Sequence, residues 1–190
     1  QEMTEKITIK TFHSFGAFIL KNEAEALGYQ KNFSIYSEDD KIHLLKKIAR
    51  ELSGKQVRQL ADQISQAKNN LMELKAEDQL IDSGKDDHFF HYYKIYQQAL
   101  GQRQAFDFDD LILQPIKLFQ QHSEIKQKYQ QQFPFIFVDE YQDINFAQYM
   151  LLQQLTSHQT HLCVIGDPDQ AIYGFRGSDR RFFLQFEQDF

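Results

Sequence analysis

The 190-residue chain has no tryptophan, a single cysteine, no excess of positive charge and no long apolar run. Each absence excludes something. One thiol, Cys163, cannot close an internal disulfide, and within the apolar string HLCVIG it reads as a buried strand residue in a reducing compartment. No stretch approaches the ~18 apolar residues that a membrane span needs. The first residues carry no signal-peptide pattern, so the expected location is cytoplasmic. With a formal net charge of −6, the chain does not gather nucleic acid by bulk attraction, and any such contact must be local. What is present is a core-forming 42% of hydrophobic residues, in a length that suits one domain or one domain with a partner lobe.

The pattern of elements changes along the chain. KITIKTF (Lys6–Phe12) alternates and is β-branched, which predicts a strand. The next segment has helical spacing, led by Phe15, Phe18 and Ile19 and stopped at Gly28. Ser37, with Asp40 three residues on, predicts a capped helix with Ile42, Leu45, Ile48, Ala49 and Leu52 on one face, ended by Gly54. A second helix follows on Val57, Leu60, Ala61, Ile64 and Leu71. A third runs over DHFFHYYKIYQQAL to Gly101, and a fourth begins after Asp107 with a kink near Pro115. The Gln-rich stretch 120–132 reads as a solvated helix face. Between Phe15 and Gln132 only FSIY has strand character.

The last third differs. FIFV (Phe135–Val138) and HLCVIG (His161–Gly166) are short continuous apolar runs, as in strands buried on both faces of a parallel sheet. NFAQYMLLQQL between them predicts a crossover helix capped by Asn145. The first run ends in Asp139-Glu140, and Asp167 and Asp169 follow the second. In open parallel sheets, ligands sit beyond the carboxyl ends of the strands. Adjacent acids there suit nucleoside-triphosphate hydrolysis, one holding Mg²⁺ and the next orienting and deprotonating water. A bare Asp-Glu pair after a strand more often does no more than cap a turn.

Four strings lift the first reading above the second. TFHSF (Thr11–Phe15), FDFDDLI (Phe106–Ile112), VDEYQD (Val138–Asp143) and GDPDQAIYGFRG (Gly166–Gly177) stand in an order and spacing that resembles the UvrD/Rep-type superfamily 1 DNA helicases. The resemblance implies a helix-rich α/β fold. It would be a partial RecA-like parallel sheet of the P-loop NTPase type with an inserted all-helical domain. Residues 1–20 would carry the early strand and DNA-contact motif, 21–131 the insertion, and 132–190 the later half of the RecA-like domain. It implies ATP and Mg²⁺, with Asp139 on the metal, Glu140 as the base for water, and Gln170 sensing the γ-phosphate. It implies single-stranded or junction DNA as partner, touched by Thr11, Phe12, His13, Tyr173, Phe175 and Arg176. Base stacking on aromatic faces needs no sequence readout, and Arg176, with Arg180 and Arg181 nearby, adds the local positive charge that the whole chain lacks. The family usually has Trp where Phe175 stands. Core packing is the competing role for Phe12, His13 and Tyr173.

Other clusters read as structural. Asp107, Asp109 and Asp110 suit a helix cap at a domain junction better than a metal site. His88/His91 and His158/His161 have i, i+3 spacing, but no Cys or acid converges on them, so they read as surface histidines rather than zinc ligands.

The sequence also lacks a phosphate-cradling G-x-x-x-x-G-K-[ST] loop. Gly54-Lys55 is followed by Gln56 and preceded five residues earlier by Ala49; Gly84-Lys85 is followed by Asp86 and preceded by Gln79. QEMTEKI resembles the tail of the family motif TNKAAxEM. The resemblance therefore implies a piece of a longer parent, whose remaining domains supply the P-loop and the second RecA-like domain. The isolated piece is then expected to be inactive as an ATPase and prone to weak self-association through an unpaired strand edge. The alternative is a stand-alone single-stranded-DNA-binding or interaction module that has lost catalysis.

Overall fold

A computed structural model describes residues 7–72, 87–171 and 180–190 of the chain. Among these residues the fold is a helix-rich α/β arrangement with two separate two-stranded parallel sheets.

Local capping chemistry sets most of the helix starts. Helix α1 (Phe12–Glu23) begins at Thr11, whose side chain accepts the Ser14 N–H, and passes through a 3₁₀ turn (Ala24–Leu27) to Gly28 at φ 78°. Glycine takes this left-handed conformation without a Cβ penalty, so the predicted stop holds. Helix α2 (Glu38–Ile48) has the reciprocal Ser37/Asp40 cap. Its acids lie in the first turn and Lys46 and Lys47 in the last, as the helix dipole favours. Helix α3 (Gly54–Asn69) starts with a second reciprocal cap, Ser53/Gln56. Gly54 therefore opens α3 rather than closing α2, because the Ser-x-x-Gln box claims it. Helix α4 (Asp87–Gln102) runs through Gly101 instead of stopping there.

Strand β1 (Ser34–Tyr36) falls on the predicted FSIY and pairs in parallel with β2 (Ala105–Asp107), with Ile35 opposite Phe106. The β2 strand was not legible in the sequence; it is three residues long and fully buried. Helices α5 (Asp110–Gln121) and α6 (Ser123–Gln132) follow. Pro115 lies inside α5 and cannot donate to the Leu111 carbonyl. Helix α1 crosses at this point, with Gly16 so close that a Cβ would stand 1.7 Å from the Leu111 oxygen.

Strand β3 (Phe135–Val138) pairs in parallel with β4 (His161–Val164), joined by helix α7 (Phe146–Leu155) with its Asn145/Gln148 cap. This is the predicted crossover unit. Its strands, however, are buried on one face only. Ile136, Val138, Leu162 and Val164 join the cluster on α7, while Phe135 and Phe137 are 63% and 72% exposed, and Cys163 and Ile165 are exposed as well. The expected two-faced burial, and with it the buried thiol, is not found: among the described residues a single helical layer covers this two-stranded sheet, so alternate residues face outward. Helices α8 (Arg180–Leu184) and α9 (Phe186–Asp189) cap the unit's side, with the Phe182 ring stacked 4.4 Å from that of Tyr149.

The predicted first strand is also absent among the described residues. Residues 7–11 have no regular structure, and Ile7 and Ile9 are exposed. An alternating segment becomes a strand only beside a partner, and no described strand lies next to it. Two larger cores carry the rest. One joins α2, α3 and α4; the other joins α1, α5, α6 and α7.

Candidate functional site

The carboxyl ends of β3 and β4 meet as parallel strands require. Backbone pairing continues past both, from Ile165 N–H to the Val138 carbonyl at 2.8 Å and from Tyr141 N–H to the Ile165 carbonyl at 3.0 Å. Asp139 and Glu140 leave the sheet here with exposed side chains. Glu140 has φ 53° and ψ 41°, a left-handed conformation costly for a residue with a Cβ. It turns the chain sharply, and its N–H donates to Asp139 Oδ1 at 3.0 Å.

A residue that the sequence reading passed over ties the two strand-end loops together. Gln142 is buried. It donates from Nε2 to Glu140 Oε2 at 2.7 Å and accepts the Asp167 N–H on Oε1 at 3.1 Å. Asp167 in turn accepts from Asp169 N–H (2.9 Å) and from Gln170 Nε2 (3.0 Å). These donors, the Gln170 amide first, hold the Asp167 carboxyl below the usual range. Glu140 and Gln170, predicted as partners in one reaction, are thus joined through Gln142 and Asp167. The signal was present as a glutamine two residues after the acid, short enough to fold back and long enough to reach the next strand. Gly166 makes room for it: a Cβ there would stand 2.3 Å from Gln142 Oε1.

The early motif opens α1. Thr11 is exposed and serves as its N-cap. Phe12 is half-buried and packs against the apolar clusters around α5 and α7. His13 is half-buried, and its ring stacks on Phe108 with centroids 3.9 Å apart and planes 18° from parallel. Burial lowers the His13 pKa, against the opposing pull of the Asp109 charge, so the neutral ring is favoured. Phe108 is 56% exposed and presents an aromatic face that the sequence reading had not singled out. Tyr173, Phe175 and Arg176 lie outside the described residues.

Behind Phe108 the acids form an ion cluster with two lysines, and Asp107 takes the expected part of a cap on the Asp110 N–H. Asp107 and Asp110 cap each other's backbone N–H groups, at 2.9 and 3.2 Å. Lys68 from α3, fully buried, bridges Asp107 (2.7 Å) and Asp110 (2.9 Å), and Tyr96 donates to Asp107 at 2.9 Å. Lys41 from α2 reaches Asp109 at 3.2 Å. Burial, then the Asp107 charge, pushes the Asp110 carboxyl up to about 6 against the pull of Lys68. Among the described residues no group of three metal-binding side chains occurs, and the two histidine pairs are on the surface. An exposed Asp139 beside Glu140 fits Mg²⁺ nonetheless, since that ion keeps several waters and takes one or two carboxylates plus substrate phosphates.

Comparisons with known proteins agree with the motif strings. The family described as UvrD/REP helicase N-terminal domain matches residues 1–190. Among curated relatives, the ATP-dependent DNA helicase PcrA of Bacillus subtilis (strain 168) is 41% identical over 98% of this chain and 26% of its own length. PcrA of Leuconostoc citreum is 36% identical over 100% of the chain and 26% of its own length. The ATP-dependent DNA helicase Rep of Buchnera aphidicola subsp. Baizongia pistaciae is 35% identical over 97% and 28%. The chain thus spans about a quarter of the length of these relatives.

Proposed function

Since the chain belongs to the UvrD/REP helicase N-terminal domain family, we propose that it is the part of an ATP-dependent DNA helicase or translocase that carries the hydrolytic acids and one wall of the single-strand track. In this reading residues 1–20 and 132–190 belong to a RecA-like domain and 21–131 to a helical insertion. The remaining domains of the parent supply the phosphate cradle, and the isolated chain does not turn over ATP. The observation that carries the reading is the hydrogen-bonded line Glu140–Gln142–Asp167–Gln170 across the carboxyl ends of two parallel strands.

Phosphoryl transfer asks a protein mainly for positioning and electrostatic stabilisation. Asp139 is the carboxylate that would hold Mg²⁺, which neutralises phosphate charge when bound. Glu140, fixed at Oε2 by Gln142, accepts the proton of the attacking water. Gln170 reports the γ-phosphate through Asp167 and Gln142 to that same base. Contact with single-stranded or junction DNA is assigned to Thr11, Phe12, His13, Tyr173, Phe175 and Arg176, and Phe108 joins them by its stack on His13.

The test is Glu140→Gln in the full-length protein. Turnover of Mg-ATP falls to background while nucleotide binding stays. Retained turnover removes Glu140 as the base. DNA binding by a wild-type protein with no turnover at all would favour the stand-alone module instead.

A further inference from the structure

The loop that carries the acids and the turn that carries Phe108 lie on different elements, yet one side chain touches both. Asn69, in the last turn of α3, donates from Nδ2 to Asp109 Oδ1 at 3.0 Å and to the Ser65 carbonyl at 2.9 Å. Its Oδ1 accepts from Asn145 Nδ2 at 2.9 Å. The amide cannot be turned over, because a flip would set its oxygen against a carboxylate and a carbonyl. Asn145 is equally fixed, since its own Oδ1 is the cap acceptor for Gln148 N–H at 3.0 Å.

Each end of this bridge leads to a functional group by a short, stiff path. From Asn145 the chain runs back through buried Ile144 and the 3₁₀ turn Tyr141–Asp143, closed by Asp143 N–H on the Glu140 carbonyl at 2.9 Å. From Asp109 the next residue is Phe108, stacked on His13. Asp109 cannot drift, since Lys41 (3.2 Å), Ser65 (2.6 Å) and Asn69 hold both its oxygens. Asn69 thus joins the start of α7, just after the acid loop, to the turn that carries the aromatic stack by hydrogen bonds at both ends of one amide.

We propose that Asn69 is a positioning residue that couples the Asp139–Glu140 loop to the His13–Phe108 stack, through Asn145 on one side and Asp109 on the other. The inference rests on the function proposed above, in which the loop acts on ATP and the stack on DNA. Asn69 touches neither substrate. Its effect is on how strongly DNA raises turnover.

The experiment uses the full-length protein with Asn69→Ala, Asn145→Ser and the double variant. Serine keeps a cap acceptor for α7 and is too short to reach Asn69. ATP turnover is measured without DNA and across an oligo-dT titration. The expected result is unchanged DNA-free turnover, with oligo-dT-stimulated kcat lowered about tenfold in either single variant. The double variant is expected to be no worse than the singles, as for two residues acting through one contact. Stimulation unchanged in both singles overturns the link. So does a proportional fall in DNA-free and stimulated rates, which marks a merely structural role, and so do losses that add in the double variant. A wild-type protein unresponsive to oligo-dT overturns the function proposed above and this link with it, whereas responsive wild type with unaltered variants overturns the link alone.

Discussion

Replacing Lys68 by methionine probes the buried ion cluster most directly. The substitution keeps the length and the apolar stem and removes one charge. Lys68 stands 2.7 Å from Asp107 and 2.9 Å from Asp110, with all three side chains buried. Its loss strands two carboxylates around an apolar tip. Removing one partner of a buried pair costs about 3–5 kcal/mol, because the remaining charge is uncompensated. That is a large part of the stability of a chain this size. The loss should depend on pH. The Asp110 carboxyl, raised by burial and by the Asp107 charge to about 6 in the native state, lies above its unfolded value of about 3.9. A raised carboxyl gives its full stabilisation below the unfolded pKa and loses it as pH rises through the folded pKa. The cost of Asp110 to the fold therefore grows as pH rises from about 4 to about 6 and stays in full above that, where the Lys68 charge limits it. At Asp107, burial pushes the carboxyl up, but Lys68 and Lys41 outweigh it and hold it below the usual range. Its contribution is present above the ordinary carboxylate pKa and is lost only as pH falls through the lowered value, in more acid solution than the Asp110 window. Urea unfolding followed by far-UV circular dichroism at pH 7.5 and pH 5 is the assay. The Lys68→Met deficit should be greatest at pH 7.5 and shrink at pH 5, where Asp110 takes a proton. A deficit below about 1 kcal/mol, within the range of exposed pairs, or one equal at both pH values, would refute the reasoning.

Three further outcomes are expected. Phe108→Ala removes an exposed aromatic face with little effect on the core and should weaken oligo-dT binding by the full-length protein about 5- to 150-fold, the worth of one stacked base; fluorescence anisotropy measures it, and unchanged affinity removes Phe108 from the DNA wall. Gly16→Ala places a Cβ against the Leu111 carbonyl and forces α1 off α5, at a cost of about 1–3 kcal/mol or more; a thermal midpoint equal to wild type would contradict the close crossing. The purified 190-residue chain should release no phosphate from Mg-ATP with or without oligo-dT, and DNA-stimulated release would show that another lysine completes the site.

The capped helices were legible because their determinants lie within four residues. Ser37/Asp40 and Asn145/Gln148 are local hydrogen-bonding pairs, visible as letters at fixed spacing. The same rule at Ser53/Gln56 went unread only because Gly54 looked like a stop. The β3–α7–β4 unit was legible from two apolar runs around a helix-length segment. Lys68 left a fainter signal, a cation four residues after Ile64 on the apolar face of α3, where a helix has no reason to place one without a buried partner. Strand β2 left almost none: three buried residues, ending in an aspartate, pair with β1 across about 70 intervening positions.

The sequence alone therefore determined the chemistry available at each point: which residues can cap, which acids stand at the end of a strand, and which family the motif order matches. All of that depends on neighbours along the chain. Tertiary structure alone decided which of those groups meet. It set Gln142 between Glu140 and Asp167, Phe108 on His13, Lys68 under the Asp107–Asp110 turn and Asn69 between Asn145 and Asp109. It also left one face of β3 and β4 exposed where the runs by themselves called for cover. The physical reason is the same in each case. Burial and long-range hydrogen bonds depend on what packs across the chain, and a string of residues carries no record of which distant segment supplies the partner.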